Sequence, residues 1–362
     1  MQKRIRPLLW AVLVCAALPL FSQEDSTYTE EEDYSIYDNL DYADEGTKRF
    51  ASAKISGISP ARLISVGYDY QARYDITAGA FDTYAAQTAR VNSTQGVRIG
   101  ANIPVISKNS IIVQLGGQIW DMNYDFENDP ATLNHPLLQT LQANNLTTVG
   151  LNSTIFKPLN ETNFILVQVA ADMNGDFSIP EFQEVNTIKN SVAAIWGKRP
   201  SDYKQWGIGI SRTFRAGEMN YVPILLFNWT SPTTPWGTEI LFPARGHVRY
   251  TFNRQNMAFF GFELEGNSYR IGNQNRELPS LNNDLQIRRS ELRFRFMWQR
   301  QLVGFIWVAL EAGYRINYSF NVDRVPGGKD FSRFFLLDDP FVMENALTNP
   351  LYFNLSFNLV SP

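Results

Sequence analysis

The sequence predicts an all-β fold, a transmembrane antiparallel up-and-down β-barrel of 12–14 strands, on three observations. Apolar and polar residues alternate with period two in segment after segment from about residue 60 to the end. These segments run to about ten residues or more, against about 5–6 for a typical soluble strand. Aromatic residues sit near the ends of their apolar faces, as Tyr68, Tyr74, Trp298, Tyr314 and Tyr318 do. Composition agrees: 19% of residues are charged and 14% aromatic, too aromatic for a disordered chain. A helical membrane protein would need repeated apolar runs of about 20 residues, and only one run approaches that length.

That run is at the N-terminus. Lys3, Arg4 and Arg6 precede an apolar stretch from Leu8 to Phe21, and Ser22-Gln23 opens a polar, acidic sequence. This is the anatomy of a secretory signal peptide over residues 1–22, cleaved near Ser22. The stretch is short for a membrane anchor and lacks a basic stop-transfer flank. The lone Cys15 lies inside it, preceded by Val14 where lipidation wants a small residue. The mature chain is therefore expected to hold no cysteine, which excludes disulfides, thiolate catalysis and zinc-thiolate sites.

Residues 23–58 are expected to form an acidic disordered periplasmic tail. Ten acids and no Lys or Arg fall between residues 23 and 45, interleaved with Tyr28, Tyr34, Tyr37 and Tyr42. Such a run is either a solvated extension or a docking segment for a periplasmic protein. Of the chain's 36 acids and 32 bases, 26 acids and 29 bases lie in residues 46–362, so the negative charge belongs to the tail.

The barrel is expected over residues 59–362. In Leu63–Ile76 the apolar Ile64, Val66, Tyr68, Tyr70, Ala72, Tyr74 and Ile76 share one face, which no helix could arrange. The final strand alternates Leu351, Phe353, Leu355, Phe357 and Leu359 with Tyr352, Asn354, Ser356 and Asn358. Thirteen segments are legible, near 61–75, 95–106, 110–124, 146–157, 163–174, 188–197, 205–215, 219–230, 246–253, 257–271, 286–298, 302–318 and 349–360. A barrel with both termini in the periplasm needs an even number. Trp236–Pro243 supplies a fourteenth strand, or one weak middle segment drops out to leave twelve. Trp298–Leu302 reads as a short periplasmic turn, and 125–144, 175–188, 272–284 and 318–346 as loops. Leu133, Leu137, Leu138 and Leu141 recur at near-helical spacing and predict a short helix over or inside the mouth.

With its signal peptide, cysteine-free mature chain, alternating strands and apolar-aromatic final strand, the sequence resembles bacterial outer-membrane β-barrel proteins over roughly residues 60–360. It is similar to medium-sized barrels of unassigned function, and ends on Val360-Ser361-Pro362 where many relatives end on an aromatic. The resemblance implies residence in the bacterial outer membrane, contact with its lipid, and handling by the barrel-assembly machinery during biogenesis. It transfers no catalytic residue.

Little else carries chemistry. His135 has no serine near it in Asn134-His135-Pro136, and His247 alternates with Val248, Tyr250 and Phe252, so no Ser-His constellation is recognisable and no enzyme is expected. Asp172-Met173-Asn174-Gly175-Asp176 begins like a calcium loop, but Phe177 stands where that loop needs glycine and Gln183 where it needs glutamate. No metal or cofactor is expected, and bases interleaved with acids argue against nucleic acid.

The strongest functional signal is the inward face. Arg289, Glu291, Arg293 and Arg295 project from one strand, Glu263 and Glu265 from the strand before, and Glu311 and Arg315 from the strand after. Arg98, His247 and Arg249 complete the candidate lumen lining. These charges either line a hydrated pore or clasp one another as a plug, 12–14 strands being a width between filled and open barrels, and the hydrated lumen is the expectation. The expected function is porin-like passive passage of small polar solutes. The alternative is a non-conducting structural or accessory subunit that binds partner proteins through its loops and acidic tail. Purified in detergent, the chain should give a β-dominated far-UV circular dichroism spectrum and a heat-dependent shift on SDS gels. A mature chain soluble and monomeric without detergent would overturn the barrel.

Overall fold

A computed structural model describes residues 54–127, 132–177, 188–214, 219–271, 285–324 and 341–361. The segment expected to be a signal peptide, residues 1–22, the acidic run 23–45 and residues 178–187, including Gln183, lie outside the described residues. The strands are β1 (Arg62–Gln71), β2 (Tyr74–Ala78), β3 (Gln87–Lys108), β4 (Ile111–Phe126), β5 (Leu146–Pro158), β6 (Asn163–Gly175), β7 (Lys189–Ser201) and β8 (Lys204–Thr213). They continue as β9 (Asn220–Thr230), β10 (Trp236–Phe242), β11 (Arg245–Asn253), β12 (Asn256–Ile271), β13 (Leu285–Val303), β14 (Ile306–Arg324), β15 (Ala346–Leu347) and β16 (Leu351–Val360). A single helix among the described residues, α1 (Pro136–Ala143), lies between β4 and β5.

From β3 to β14 each strand pairs antiparallel with the next, β14 pairs with β16, and β1 pairs with both β3 and β16, which closes the sheet on itself. The short β2 prolongs β1 along β3, and β15 prolongs β16 along β2, so the barrel has fourteen staves. The ambiguous Trp236–Phe242 is one of them, paired on both sides. Closure leaves no edge to meet lipid with unpaired amides. The outward face is apolar, with Ile64, Val66, Leu310, Phe353, Leu355 and Phe357 all exposed. The exposed aromatics include Tyr203, Trp229, Trp236, Phe252 and Phe305 near the short turns, and Tyr70, Tyr221, Tyr314 and Tyr318 toward the other end. That is the girdle arrangement of a bilayer-spanning barrel.

Two expectations are corrected. The turn placed at Trp298–Leu302 falls instead at Gly304-Phe305, because β13 stays paired to Val303, opposite Ile306. Gly304 takes a positive φ of 49°, which glycine adopts without steric cost. The single face drawn over Leu63–Ile76 also breaks. Tyr70 faces outward, whereas Tyr74 and Ile76 are buried inside at 4% and 0% exposure. Register shifts in β3–β4 at Val91/Ser93 and in β13–β14 at Ser290/Glu291 bracket the strands that switch face. One extra residue exchanges inside for outside. Above the switch the exterior has charged pairs such as Arg90–Asp75, and apolar groups turn inward.

Those inward groups build a core at the long-loop end from Ile76, Val91, Met122, Tyr124, Tyr269, Ile287, Phe320 and Val322, into which α1 inserts Leu137, Leu138 and Leu141. Leu133 joins them, so the expected helix and its apolar face are both present. Pro136 starts the helix without wasting a hydrogen bond. His135 caps it, Nδ1 accepting from the Leu137 amide at 3.2 Å while Nε2 donates to the Gly79 carbonyl at 2.9 Å. Burial pushes the His135 imidazole below its ordinary pKa, against the opposing effect of the Gly79 bond. A depressed native value gives stability that is complete above about pH 6.5 and is lost as pH falls through that value toward the native one. Acidification from pH 7.5 to 5 should therefore lower the urea midpoint of the wild type more than that of His135→Asn, which caps without titrating. Equal shifts in the two proteins would refute this role.

Candidate functional site: the barrel lumen

The inward positions of β1, β3, β12, β13, β14 and β16 converge on one belt of charge. Glu291 lies at its centre with its side chain fully buried, held by Arg293 at 2.6 Å, Arg289 at 2.8 Å and Arg315 at 3.5 Å. Arg293 also reaches Glu265 at 2.8 Å, and Glu265 pairs with Arg98, which lies 3.4 Å from Asp69. Arg295 joins Glu263 to Glu311, the latter at 2.9 Å, and donates to His247 Nε2 at 3.2 Å. Five guanidiniums (Arg98, Arg289, Arg293, Arg295, Arg315) thus meet five carboxylates (Asp69, Glu263, Glu265, Glu291, Glu311), and their charges cancel. A little apart, Arg249 is fully buried between Glu239 and the Thr230 hydroxyl at 2.7 Å.

The structure places every candidate on the inside and gathers all but Arg249 into two adjoining clusters of this belt, one around Glu291 and Arg293 and one around Arg295. The hydrated lining expected for the arginines is corrected: Arg289, Arg293 and Arg295 are clasped by Glu263, Glu265, Glu291 and Glu311. Residues that sequence reasoning left out complete the belt. Trp120 offers its ring to Arg98 at 4.0 Å and to Arg289 at 5.2 Å, and Tyr352 offers its ring to Arg293 at 5.1 Å. Gln71 accepts from Arg315. Asp69, Gln71 and Tyr352 occupied the polar face of their strands and were readable there; Trp120 carried no such signal.

Two further features divide the lumen. The upper ends of β6 and β12, nearly opposite in the ring, meet across it through an Arg270–Gly175 bridge, with the Asp176 amide on the Arg270 carbonyl at 3.0 Å. A side chain at Gly175 would meet that carbonyl, so glycine permits the approach. Asp172, from the segment that begins like a calcium loop, accepts from Gln118 at 3.0 Å. At the short-turn end, residues 54–61 cross the mouth as a strap. The Ser56 amide binds the Asp202 carbonyl at 2.7 Å in the β7–β8 turn. Gly57 packs on Thr230, and the Ser59 amide and hydroxyl both donate to the Glu239 carboxylate at 3.1 and 2.7 Å. The chain then enters β1, on the far side.

Two cavities lie in the interior beside the belt. The lower one, about 650 Å³, lies between strap and charge belt and is mostly polar, with Ser65, Asn102, Gln114, Thr154, Asn354 and Ser356 in its wall. The upper one, about 630 Å³, lies against β5–β12. Its wall includes the inward apolar cluster of Phe156, Phe164, Ile195 and Leu226, with Gln168, Gln205 and Asn228 among them. Gly197 lets the Phe164 ring lie flat against β7, because a Cβ there would overlap it.

Removing one side of a buried ion network leaves the other unpaired, at a cost of about 3–5 kcal/mol. Arg293→Ala with Arg295→Ala would strip partners from Glu263, Glu265, Glu291 and Glu311. The double variant should unfold at clearly lower denaturant than the wild type. An unchanged midpoint would mean that the belt is hydrated enough to need no pairing.

No protein-family model matches the chain, and no curated protein matches it. Similar solved structures include an outer membrane channel from Pseudomonas putida F1, at 10% identity and a TM-score of 0.38, covering 84% of this chain and 97% of that one. A FadL homologue of Pseudomonas aeruginosa is 9% identical with a TM-score of 0.37, over 83% of this chain and 90% of that one. The P. putida toluene transporter TodX is 8% identical with a TM-score of 0.33, over 86% and 96%. Scores this low carry no argument about cargo. By its own closure, apolar exterior and charged interior, the chain folds as a closed antiparallel fourteen-stranded β-barrel of the bilayer-spanning type.

Proposed function

We propose that the protein provides restricted passive passage for small polar solutes across the bacterial outer membrane. It is porin-like in needing no energised step, and narrower than an open porin. The route runs beside the charge belt and not through it. What supports this reading is that the two cavities abut: Ile58, Arg98, Phe156, Leu166, Glu239 and Glu263 border both. Together they lead from below the long-loop end to the strap at the short-turn end. The upper wall mixes phenylalanines with amides, which suits solutes that carry some apolar surface beside their polar groups.

The strap is then the main obstruction. Gly57 has a φ of +72°, and a Cβ there would lie 2.8 Å from Thr230 Cγ2, so Gly57→Val should dislodge it. In planar bilayers the wild type should pass small currents, and Gly57→Val or deletion of residues 54–58 should raise single-channel conductance several-fold. Liposome swelling in small sugars should rank the proteins in the same order. A wild type and variants that all pass neither current nor sugar would rule out transport.

A further inference from the structure

We propose that the lower cavity is a binding site for a small water-soluble oxyanion, a phosphate or carboxylate group, held between Arg62 and Arg245. This deepens the passage proposed above and rests on it.

The charges around the cavity do not balance. Six cationic side chains line it, Lys54, Arg62, Arg98, Arg245, Arg293 and Arg295, against four carboxylates, Asp69, Glu239, Glu263 and Glu311, an excess of two. The belt arginines are taken up by their own carboxylates, and Glu239 by Arg249 and Ser59. Two guanidiniums are left over. Arg62, at the foot of β1, has only the Met297 thioether at 3.3 Å as a side-chain partner among the described residues. Sulfur is a weak acceptor and no counter-charge for a cation. Arg245, at the top of β11, lines both cavities and has no ion pair or hydrogen-bonding side chain among the described residues. Its cross-strand neighbour Glu263 is committed to Arg295.

Both arginines serve the same wall. Met297, which Arg62 touches, lies two residues beyond Arg295 on the inward face of β13, and Arg245 stands opposite Glu263 on the adjoining β12. A guanidinium presents paired N–H donors that match the oxygens of a carboxylate or phosphate. The surrounding hydroxyls and amides of Ser65, Asn102, Asn354 and Ser356 can complete the shell of a hydrated ligand and offer nothing to an acyl chain. The polar wall and the position beside the strap select a soluble anion over a lipid headgroup.

The test is isothermal titration of the full chain in detergent with inorganic phosphate at constant ionic strength, beside glucose and octyl phosphate. Phosphate should bind and glucose should not, and Arg62→Gln and Arg245→Gln should each weaken phosphate at least tenfold while keeping the heat-dependent gel shift. Should either variant fail to fold, the wild type alone still decides: phosphate, and not equimolar chloride, should raise its melting temperature. Absent phosphate binding, binding indifferent to both variants, or preference for octyl phosphate would overturn the proposal. Because titration needs no flux, the two readings fail separately. Binding without conductance fails the passage and leaves the site; conductance without binding does the reverse.

Discussion

Glu291 is the residue on which the lumen turns. Its fully buried carboxylate gathers three arginines from two strands, and through Arg293 and Glu265 the pairing passes to Arg98 on β3 and Asp69 on β1. Burying so many charges is unfavourable unless each finds a partner, and here five meet five. The belt therefore works as a strut that ties β12, β13 and β14 to the β1–β3 wall. It fills the part of the interior that a fourteen-stranded barrel would otherwise leave to water. The free passage is displaced to the β5–β12 side, where short polar side chains and phenylalanines leave room.

A second constraint follows from the surroundings of each stave. At membrane level the outside must be apolar and the inside can be charged. Beyond the bilayer the requirement inverts, and a strand must exchange its faces to obey it. The staves from β14 through β16 and β1 to β3 do so between two bulges, with Phe320, Val322, Tyr74, Ile76 and Val91 as the side chains turned in. The neighbouring β4 and β13 keep one phase throughout, because Met122, Tyr124 and Ile287 already sit on their inward faces. The apolar core around α1 is thus the upward continuation of the same wall that carries the charge belt.

This explains what the sequence discloses and what it withholds. Period two is a property of neighbouring residues, so the staves, the weak Trp236–Phe242 among them, and the inward placement of Arg98 or Glu311 could be read locally. The leucine spacing of α1 was local in the same way. Pairing across a lumen is not local: nothing near Arg98 in sequence announces Asp69, Glu265 or Trp120. The phase switch near residue 72 is invisible because Tyr74 and Ile76 continue the alternation as written, and only the break in the strand at residues 72 and 73 reverses their side. The strap escaped notice for another reason. Residues 54–61 have no periodicity, and their meaning lies in contacts with Asp202, Thr230 and Glu239, far along the chain.

The uneven height of the wall has a consequence for the lipid around it. β3 runs for 22 residues, whereas β10 and β11 have only 7 and 9 and are joined by Pro243-Ala244 alone. Tilted as barrel strands are, seven residues rise only ~18 Å, short of the ~25 Å apolar band of such barrels. Lipid beside this hairpin has to compress or leave chain ends against a polar rim, at fractions of a kcal/mol per ångström of mismatch. The barrel therefore carries a thinned sector of bilayer on one flank and a full-thickness one on the other. The hydrophobic thickness that the barrel presents to lipid is thus uneven around its circumference.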